Sequence, residues 1–245
     1  MEIKAIKTQR VEKETDLKTF LDASISNLEE NCVLAITSKI ISICEGRLVP
    51  KESISKMELI RQEADCLLQE DDNTEHPLVL TLKNHLLIPS AGIDESNIQD
   101  AYLLYPKAPF ESAQKIGEYL RKKHAVKNLG ILITDSHTTP LRRGVTGIAL
   151  AWWGFQPLYS YIGKPDLFNQ ALRVTNINIV DALAASAVFN MGEGNESTPL
   201  AILKNIPKIT FNNTSSNPQD VCIPPEEDIY KPFLSPLLTQ LASGK

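Results

Sequence analysis

Three short acidic strings, far apart in the chain, carry the residue types of one metal-assisted site: AGIDESN (Ala91 to Asn97), ITDSHTTPLRRG (Ile131 to Gly144) and NMGEGNES (Asn190 to Ser197). Each sets a carboxylate, Asp94, Asp135 or Glu193, beside glycine, hydroxyl or amide residues where the apolar pattern breaks off. Oxygen ligands supplied by separate loops are what a hard cation such as Mg²⁺ or Mn²⁺ prefers. If the three loops converge, the chemistry they suit is metal-dependent phosphoryl transfer.

Each string also has a plainer reading. Asp94 can open an Asx turn, while Asn97 can offer its amide to a metal or a phosphate. Asp135-Ser136-His137 follows an Ile-Leu-Ile-Thr run. A carboxylate at the end of a buried strand is held rigidly at a cleft. Arg142 and Arg143 are either solvated turn arginines or a fork for anionic oxygens. His137 reads as a hydrogen-bonding turn residue rather than a base. The glycines of Met191-Gly192-Glu193-Gly194 are explained by a helix cap, but they also free backbone amides to approach a phosphate. No G-x-x-x-x-G-K-[ST] or G-x-G-x-x-G string occurs, so a nucleotide must be held some other way. Trp152 and Trp153 read as packing residues, with one of the pair facing the core at strand spacing.

The elements that must position these residues follow from the apolar pattern. A strand is expected over 3–7, a helix over 15–28, a buried strand over 32–37 and a helix over 53–69. Candidate strands over 78–82 and 86–88 lead into AGIDESN after an acidic break at 70–77. A helix over 112–124, a strand over 129–134 with Asp135 just past its end, and a second strand over 144–153 follow. The helix over 178–191 feeds the glycine string, and a strand over 200–203 closes the pattern. The Asn-, Ser- and Pro-rich stretch 210–225 is expected to be extended or mobile, and 234–241 to form a short terminal helix. Strands and helices without a regular alternation argue for α+β over a doubly wound sheet.

The 245 residues are 42% hydrophobic and 22% charged, ordinary for a globular protein, with a net charge of −5 that argues against nucleic-acid or anionic-membrane binding. No apolar run approaches the roughly 20 residues of a spanning helix. MEIKAIKTQRVEKETD lacks an apolar signal core, so a cytoplasmic location is expected. Cys32, Cys44, Cys66 and Cys222 form no C-x-x-C pair and read as packed thiols.

Together these strings resemble the coenzyme F420-0:gamma-glutamyl ligase family. The likeness runs in order through TSKIISICEGR, AGIDESN, ITDS…RRG, GFQPLYSYIGKPD and VDALAASAVFNMGE. It implies an α+β fold of two subdomains with mixed and antiparallel sheets, interlocked with a second copy as a homodimer. It implies joining L-glutamate to a carboxylate acceptor, driven by GTP (or ATP) with Mg²⁺ or Mn²⁺. It also implies metal ligation by Asp94, Asp135, Ser136 and Glu193, and phosphate contacts from Thr37, Ser38 and Ser42. The implied nucleotide contacts are Asn97 and the run Met191, Gly192, Glu193, Gly194, Asn195, Glu196, Ser197 and Thr198. On this reading Asp135 is catalytic and Arg142 holds a substrate carboxylate or the developing phosphate charge.

Three positions depart from the family's usual pattern. Ile43 stands where a lysine is usual, Thr138-Thr139 where Gly-Arg is usual, and Glu193 where the deazaflavin enzymes often have Gln. The HTTPLRRG version is similar to a bacterial subgroup that acts on folate precursors, so a folate or pteroate acceptor stands beside coenzyme F420-0. A metal-dependent phosphatase or nucleotide hydrolase, and a non-catalytic nucleotide-binding homologue, are the rival classes.

Overall fold

The computed structural model describes residues 1–13, 15–69 and 79–234. In chain order the elements are β1 (Glu2–Ile6), α1 (Leu17–Ser24), β2 (Cys32–Thr37), α2 (Ser38–Cys44), β3 (Leu48–Pro50), α3 (Lys56–Glu63), β4 (Cys66–Gln69), β5 (Leu80–Lys83) and β6 (Leu86–Pro89). They continue with β7 (Ala101–Leu103), α4 (Pro109–His124), β8 (Leu129–His137), β9 (Thr146–Trp153), β10 (Leu158–Ser160), β11 (Asn176–Asn178), α5 (Ile179–Met191) and β12 (Leu200–Lys204).

Cys32-Val-Leu-Ala-Ile has no polar face, so β2 must be covered on both sides, and all five residues are buried. It lies at the centre of a five-stranded sheet of order β1-β12-β2-β8-β9. Within that sheet β2 and β8 run parallel, from Cys32 opposite Leu129 to Thr37 opposite Thr134. The other three pairings are antiparallel. Alternation along β2 and β8 sorts their side chains into two cores. Leu34, Ile36, Ile131 and Ile133 pack with Ile116 and Leu120 of α4. Val33, Ala35 and Leu132 pack with Leu183, Ala184 and Ala187 of α5. A third cluster, with Leu59, Ile60, Val79, Ile93, Tyr102 and Leu104, lies beneath the small sheets β3-β7 and β4-β5-β6. The architecture is α+β, as the pattern predicts.

Side chains cap three of the helices. Asp16 accepts from the Thr19 amide at 2.8 Å, Ser55 from the Glu58 amide at 3.2 Å and Asn178 from the Asp181 amide at 3.0 Å. A cap of this kind contributes about 1 kcal/mol.

Several boundaries differ from the sequence expectation. The helix expected over 53–69 is α3 followed by β4. Ala64 turns extended (φ −71°, ψ 137°), and Cys66 and Leu67 pair with β5, because a short apolar run serves a strand edge as well as a helix face. Asp135 lies inside β8 rather than beyond it. A register shift between Ile133 and Thr134 lets the strand continue, pairing Asp135 with Ile148 and Ser136 with Gly147. Trp152 and Trp153 are both buried, on opposite faces of the sheet, since neighbouring strand residues point opposite ways.

Residues 210–225 run mostly without helix or strand, apart from a single turn of 3-10 helix at Pro218–Asp220. Their start is tied to the sheet: Gln156 N–H donates to the Thr210 carbonyl at 2.8 Å, and Asn212 N–H to the Gly154 carbonyl at 2.9 Å. The Arg121 guanidinium donates to the Asn212 carbonyl at 3.0 Å while lying 4.1 Å from the Trp153 ring centre. The acidic break at 70–77 lies outside the described residues, as does all of the proposed terminal helix 234–241 beyond Leu234.

Candidate active site

The parallel pairing of β2 with β8 brings two sequence strings side by side. β2 ends at Thr37, whose N–H donates to the Pro199 carbonyl at 3.0 Å, and Lys39 follows in the first turn of α2. Asp135 and Ser136 lie within the neighbouring strand, just beyond its parallel pairing with β2 and at the same end of the sheet.

Asp94 arrives by a tightly folded path. Ser90, Ala91 and Gly92 have φ of 53°, 52° and 69°, conformations that only glycine adopts readily. The buried Thr81 hydroxyl supports them, accepting from the Ala91 amide at 2.8 Å and donating to the Ile88 carbonyl at 2.7 Å. Asp94 then bridges to Leu103 through two backbone hydrogen bonds of 2.9 Å. Gly92 has a second role. A Cβ there would lie 2.3 Å from the Tyr105 ring. With only hydrogen at that point the ring packs in, and its hydroxyl donates to Asp135 Oδ2 at 2.7 Å.

The third string is delivered by the end of α5. Gly192 caps the helix at φ 81°, and the Thr198 hydroxyl donates to the Met191 carbonyl. Gly194 N–H donates to Glu196 Oε2 at 2.8 Å, so the glycine loop holds a carboxylate of its own chain. A Cβ on Gly192 would fall 2.5 Å from that carboxyl group. One side chain joins two of the strings directly, Asn97 Nδ2 donating to the Gly194 carbonyl at 3.3 Å, and the Ser136 side chain is near enough to Glu193 to oppose the rise of its pKa.

The three strings therefore meet. They line a cleft of about 930 Å³ with Thr37, Lys39, Ser96, Asn97, Asp135, Ser136 and the whole run Met191 to Thr198. That volume is at the upper end of the range for small-molecule sites. Asp94 does not itself line the cleft; it is paired with Lys39 Nζ, which does, and accepts from the Ser96 amide at 2.6 Å. Lys39 also donates to Ser96 Oγ at 3.0 Å.

Three more of the expected contacts do not line the cleft. Ser38 and Ser42 are 2% and 1% exposed and do not line the cleft, because they face inward on α2. Arg142 is exposed in the β8–β9 loop, its amide donating to the Thr139 carbonyl at 3.2 Å, and it too does not line the cleft. The hairpin carries that loop past the edge of the site.

One ammonium, Lys39, acts on all three carboxylates. Burial pushes Asp94 upward, but the Lys39 and Ser96 hydrogen bonds outweigh it and hold the acid below its ordinary value. Asp135 is pushed up to about 6, chiefly by burial, against the opposing Tyr105 hydroxyl, Ser136 amide and Lys39 charge. Glu193 is raised by burial, with Asp94 and Glu196 adding repulsion and Lys39 and Ser136 opposing. Burial and the Asp135 charge drive the Tyr105 hydroxyl far above its usual range, so it stays a donor.

The donor set of Asp94, Asp135, Ser136 and Glu193 is all hard oxygen and fits a divalent cation of the Mg²⁺ type. Among the described residues no three such acids stand at the spacing of a preformed metal cage. Lys39 holds Asp94 in an ion pair instead.

Two contributors escape local sequence reasoning. Tyr105 lies in an apolar stretch and reads as core; only its packing on Gly92 reveals its aim. Residues Thr8 to Lys13 also line the cleft, though they read as a polar turn.

The sequence model of the F420-0:gamma-glutamyl ligase family matches residues 5–205. The chain belongs to that family. Its members are ligase enzymes, and this one carries the three acidic strings in one cleft. It is 30% identical to the coenzyme F420:L-glutamate ligase of Methanocaldococcus jannaschii over 221 residues, covering 83% of this chain and 86% of the relative. It is 34% identical over 203 residues to the enzyme of that name from Methanosarcina mazei, covering 77% of this chain and 79% of the relative. The enzyme of that name from Methanopyrus kandleri is 26% identical over 250 residues, covering 94% of this chain and 98% of the relative.

Proposed function

We propose that this chain joins L-glutamate in amide linkage to the carboxylate of coenzyme F420-0 or a related acceptor, using a nucleoside triphosphate and a divalent cation. One observation carries the reading. Asp135 and Glu193, widely separated in sequence, line one cleft together with Lys39, which is ion-paired to Asp94, in a member of this ligase family.

A carboxylate is a poor electrophile and must first be activated. Its oxygen attacks the γ-phosphorus of the triphosphate, giving an acyl phosphate and the diphosphate. The glutamate amine then attacks the acyl carbon, expels phosphate and loses a proton. Asp94, Asp135, Ser136 and Glu193 would hold the cation, which when bound neutralises phosphate oxygens and aligns them for transfer. Tyr105 fixes the Asp135 carboxylate and remains protonated throughout. Lys39 is free to turn from Asp94 toward phosphate oxygens once the acid has another partner. The Gly194 amide, which holds Glu196 here, suits an anionic oxygen equally well. GTP is the favoured donor and ATP the alternative, as the family resemblance implies.

A folate or pteroate acceptor is the second reading, favoured by Glu193 and the Thr138-Thr139 loop, which both depart from the deazaflavin pattern. The protein incubated with Mg²⁺ or Mn²⁺, L-glutamate and GTP or ATP should be offered F420-0, dihydropteroate and dihydrofolate. Mass spectrometry should find one acceptor heavier by a glutamyl residue. Triphosphate hydrolysis indifferent to glutamate would identify a hydrolase instead, and no turnover of any kind a binding homologue.

We also infer a homodimer. The tandem Trp152 and Trp153 are buried within the chain and cannot supply its interface. Leu167, Phe168 and Val174, between β10 and β11, are 98%, 83% and 83% exposed and are the better candidates. The expected location is cytoplasmic; among the described residues no helix is long and apolar enough to cross a membrane.

A further inference from the structure

The turn that ends α2 grips the strand on which two of the site's side chains depend. Gly46 closes the helix at φ 69°, its N–H donating to the Ile43 carbonyl at 3.0 Å and the Arg47 N–H to the Ser42 carbonyl at 2.9 Å. The two bonds form a Schellman cap, which reverses the chain within one residue and leaves Glu45 and Arg47 flanking the glycine. Both side chains reach the same later stretch. Glu45 accepts from the Lys107 N–H and from the Ser112 hydroxyl, each at 2.8 Å. Arg47 Nε donates to the Tyr105 carbonyl at 3.0 Å, and its Nη2 donates to Glu63 Oε2 of α3 at 3.0 Å. Lys83 Nζ of β5 lies 3.6 Å from the same Glu63 oxygen. The Arg47 and Glu63 side chains are 26% and 20% exposed, and neither lines the cleft.

The stretch they hold lies between two other segments. Leu103 pairs with Leu48 on one side and with Asp94 on the other, the latter through two backbone hydrogen bonds of 2.9 Å. The Leu104 N–H donates to the Arg47 carbonyl at 3.0 Å. There the pairing of β7 with β3 stops, and the Arg47 side chain takes over by holding the Tyr105 carbonyl. Main chain and side chain of one residue thus fix two successive residues. On one side that stretch seats Asp94; on the other it aims the ring whose hydroxyl meets Asp135. A planar guanidinium serves a carbonyl and a carboxylate in one rigid geometry, whereas an ammonium on a flexible stem does not. Groups that orient a metal's ligands from outside typically account for about 10- to 100-fold of its affinity.

We propose that Arg47, anchored by Glu63, is a positioning residue for the cation site. It sets the placement of Asp94 and Asp135 relative to each other by fixing residues 103–105, and it touches neither cation nor substrate. This rests on the cation-dependent reading above and adds to it a residue outside the three acidic strings.

The test uses the full chain, Mn²⁺ as the probe at one fixed neutral pH, and the variants Arg47→Met, Arg47→Lys, Glu63→Gln and Arg47→Met with Glu63→Gln. Mn²⁺ affinity is measured by calorimetry without substrates, and amide hydrogen exchange is followed in the metal-free protein. Arg47→Met keeps much of the stem, removes every donor and should bind Mn²⁺ about tenfold more weakly. Exchange should quicken at residues 94, 103 and 104 while the amides of β2 and β8 stay protected. Arg47→Lys should recover part of the affinity. The double variant should bind no more weakly than Arg47→Met alone, because the two side chains act as one unit. In turnover, kcat should fall while the KM values for L-glutamate and the acceptor stay within about twofold of wild type. Unchanged Mn²⁺ affinity in Arg47→Met, additive losses in the double variant, or exchange that quickens equally across the central sheet would overturn the assignment. If Arg47→Met does not fold, Glu63→Gln decides: several-fold weaker Mn²⁺ binding supports the role, and unchanged binding overturns it. Wild type that shows this Mn²⁺ pattern but ligates no acceptor keeps the role of Arg47 and sinks the ligase reading. Wild type that binds no Mn²⁺ overturns the cation site and the part of Arg47 in it.

Discussion

The Tyr105 hydroxyl donates to Asp135 Oδ2 at 2.7 Å, and it reaches the acid because Gly92 has no Cβ to hold the ring away. The bond opposes the burial that raises Asp135, so it keeps the acid closer to its charged form at neutral pH. Removing it with Tyr105→Phe should raise Asp135 further. The acidic limb of the ligation pH profile should move up by about one unit while the plateau rate changes little. A uniform loss of rate at every pH would show that the tyrosine only fills space.

Asp135→Asn separates stability from catalysis. The amide keeps an oxygen for Tyr105 but removes a buried negative charge. Ligation should fall by about 100-fold or more, equivalent to about 2.7 kcal/mol of transition-state stabilisation. The melting temperature at neutral pH should rise by a few degrees, because the charge is a cost to the folded state. Near-normal ligation by a stable variant would make Asp135 a structural strand residue with no part in the chemistry.

The same cost has a pH signature. Folding raises Asp135 from an ordinary 3.8 to about 6, so between those values the folded state binds more protons than the unfolded one. The contribution of this group to stability therefore declines as pH rises through that window, by an upper bound of about 3 kcal/mol. Glu193, also raised, acts in the same direction, while Asp94, held low, has the opposite sign and loses its contribution as pH falls. A cation bound by these acids must displace the Asp135 proton below about pH 6. Mn²⁺ affinity, measured by calorimetry, should climb roughly tenfold per unit toward that pH and level off above it. Affinity that is flat from about pH 5 to 7 would remove Asp135 from the metal site.

Much of this architecture is legible in the chain because its signals are local. The unbroken apolar run of β2, the heptad-like spacing of α4 and the Asn178 cap of α5 each dictate their element directly. The order and content of the three acidic strings identify the site. The hidden parts depend on partners far along the chain. β4 looks helical until β5 pairs with it, and Asp135 looks like a loop residue until β9 lengthens its strand. Tyr105 carries no local mark of its role. Arg142, in a string rich in site residues, is carried out of the cleft by the hairpin that connects it.

The exposed apolar residues between β10 and β11 are expected to be covered by a second copy. Sedimentation at micromolar concentration should give a dimer, with an interface on the order of 2,000 Å² or more as in obligate dimers. Phe168→Glu with Leu167→Glu should shift it toward monomer. A stable wild-type monomer would contradict the inference.

The central claim is that this chain activates a carboxylate as an acyl phosphate before glutamate attacks. Acceptor labelled with ¹⁸O in its carboxylate, incubated with triphosphate, divalent cation and L-glutamate, tests it most directly. Expulsion of phosphate from the acyl carbon carries one acceptor oxygen away, so the released phosphate should contain one ¹⁸O and the amide product should have lost one. Unlabelled phosphate, with both labelled oxygens retained on the acceptor, would contradict the account.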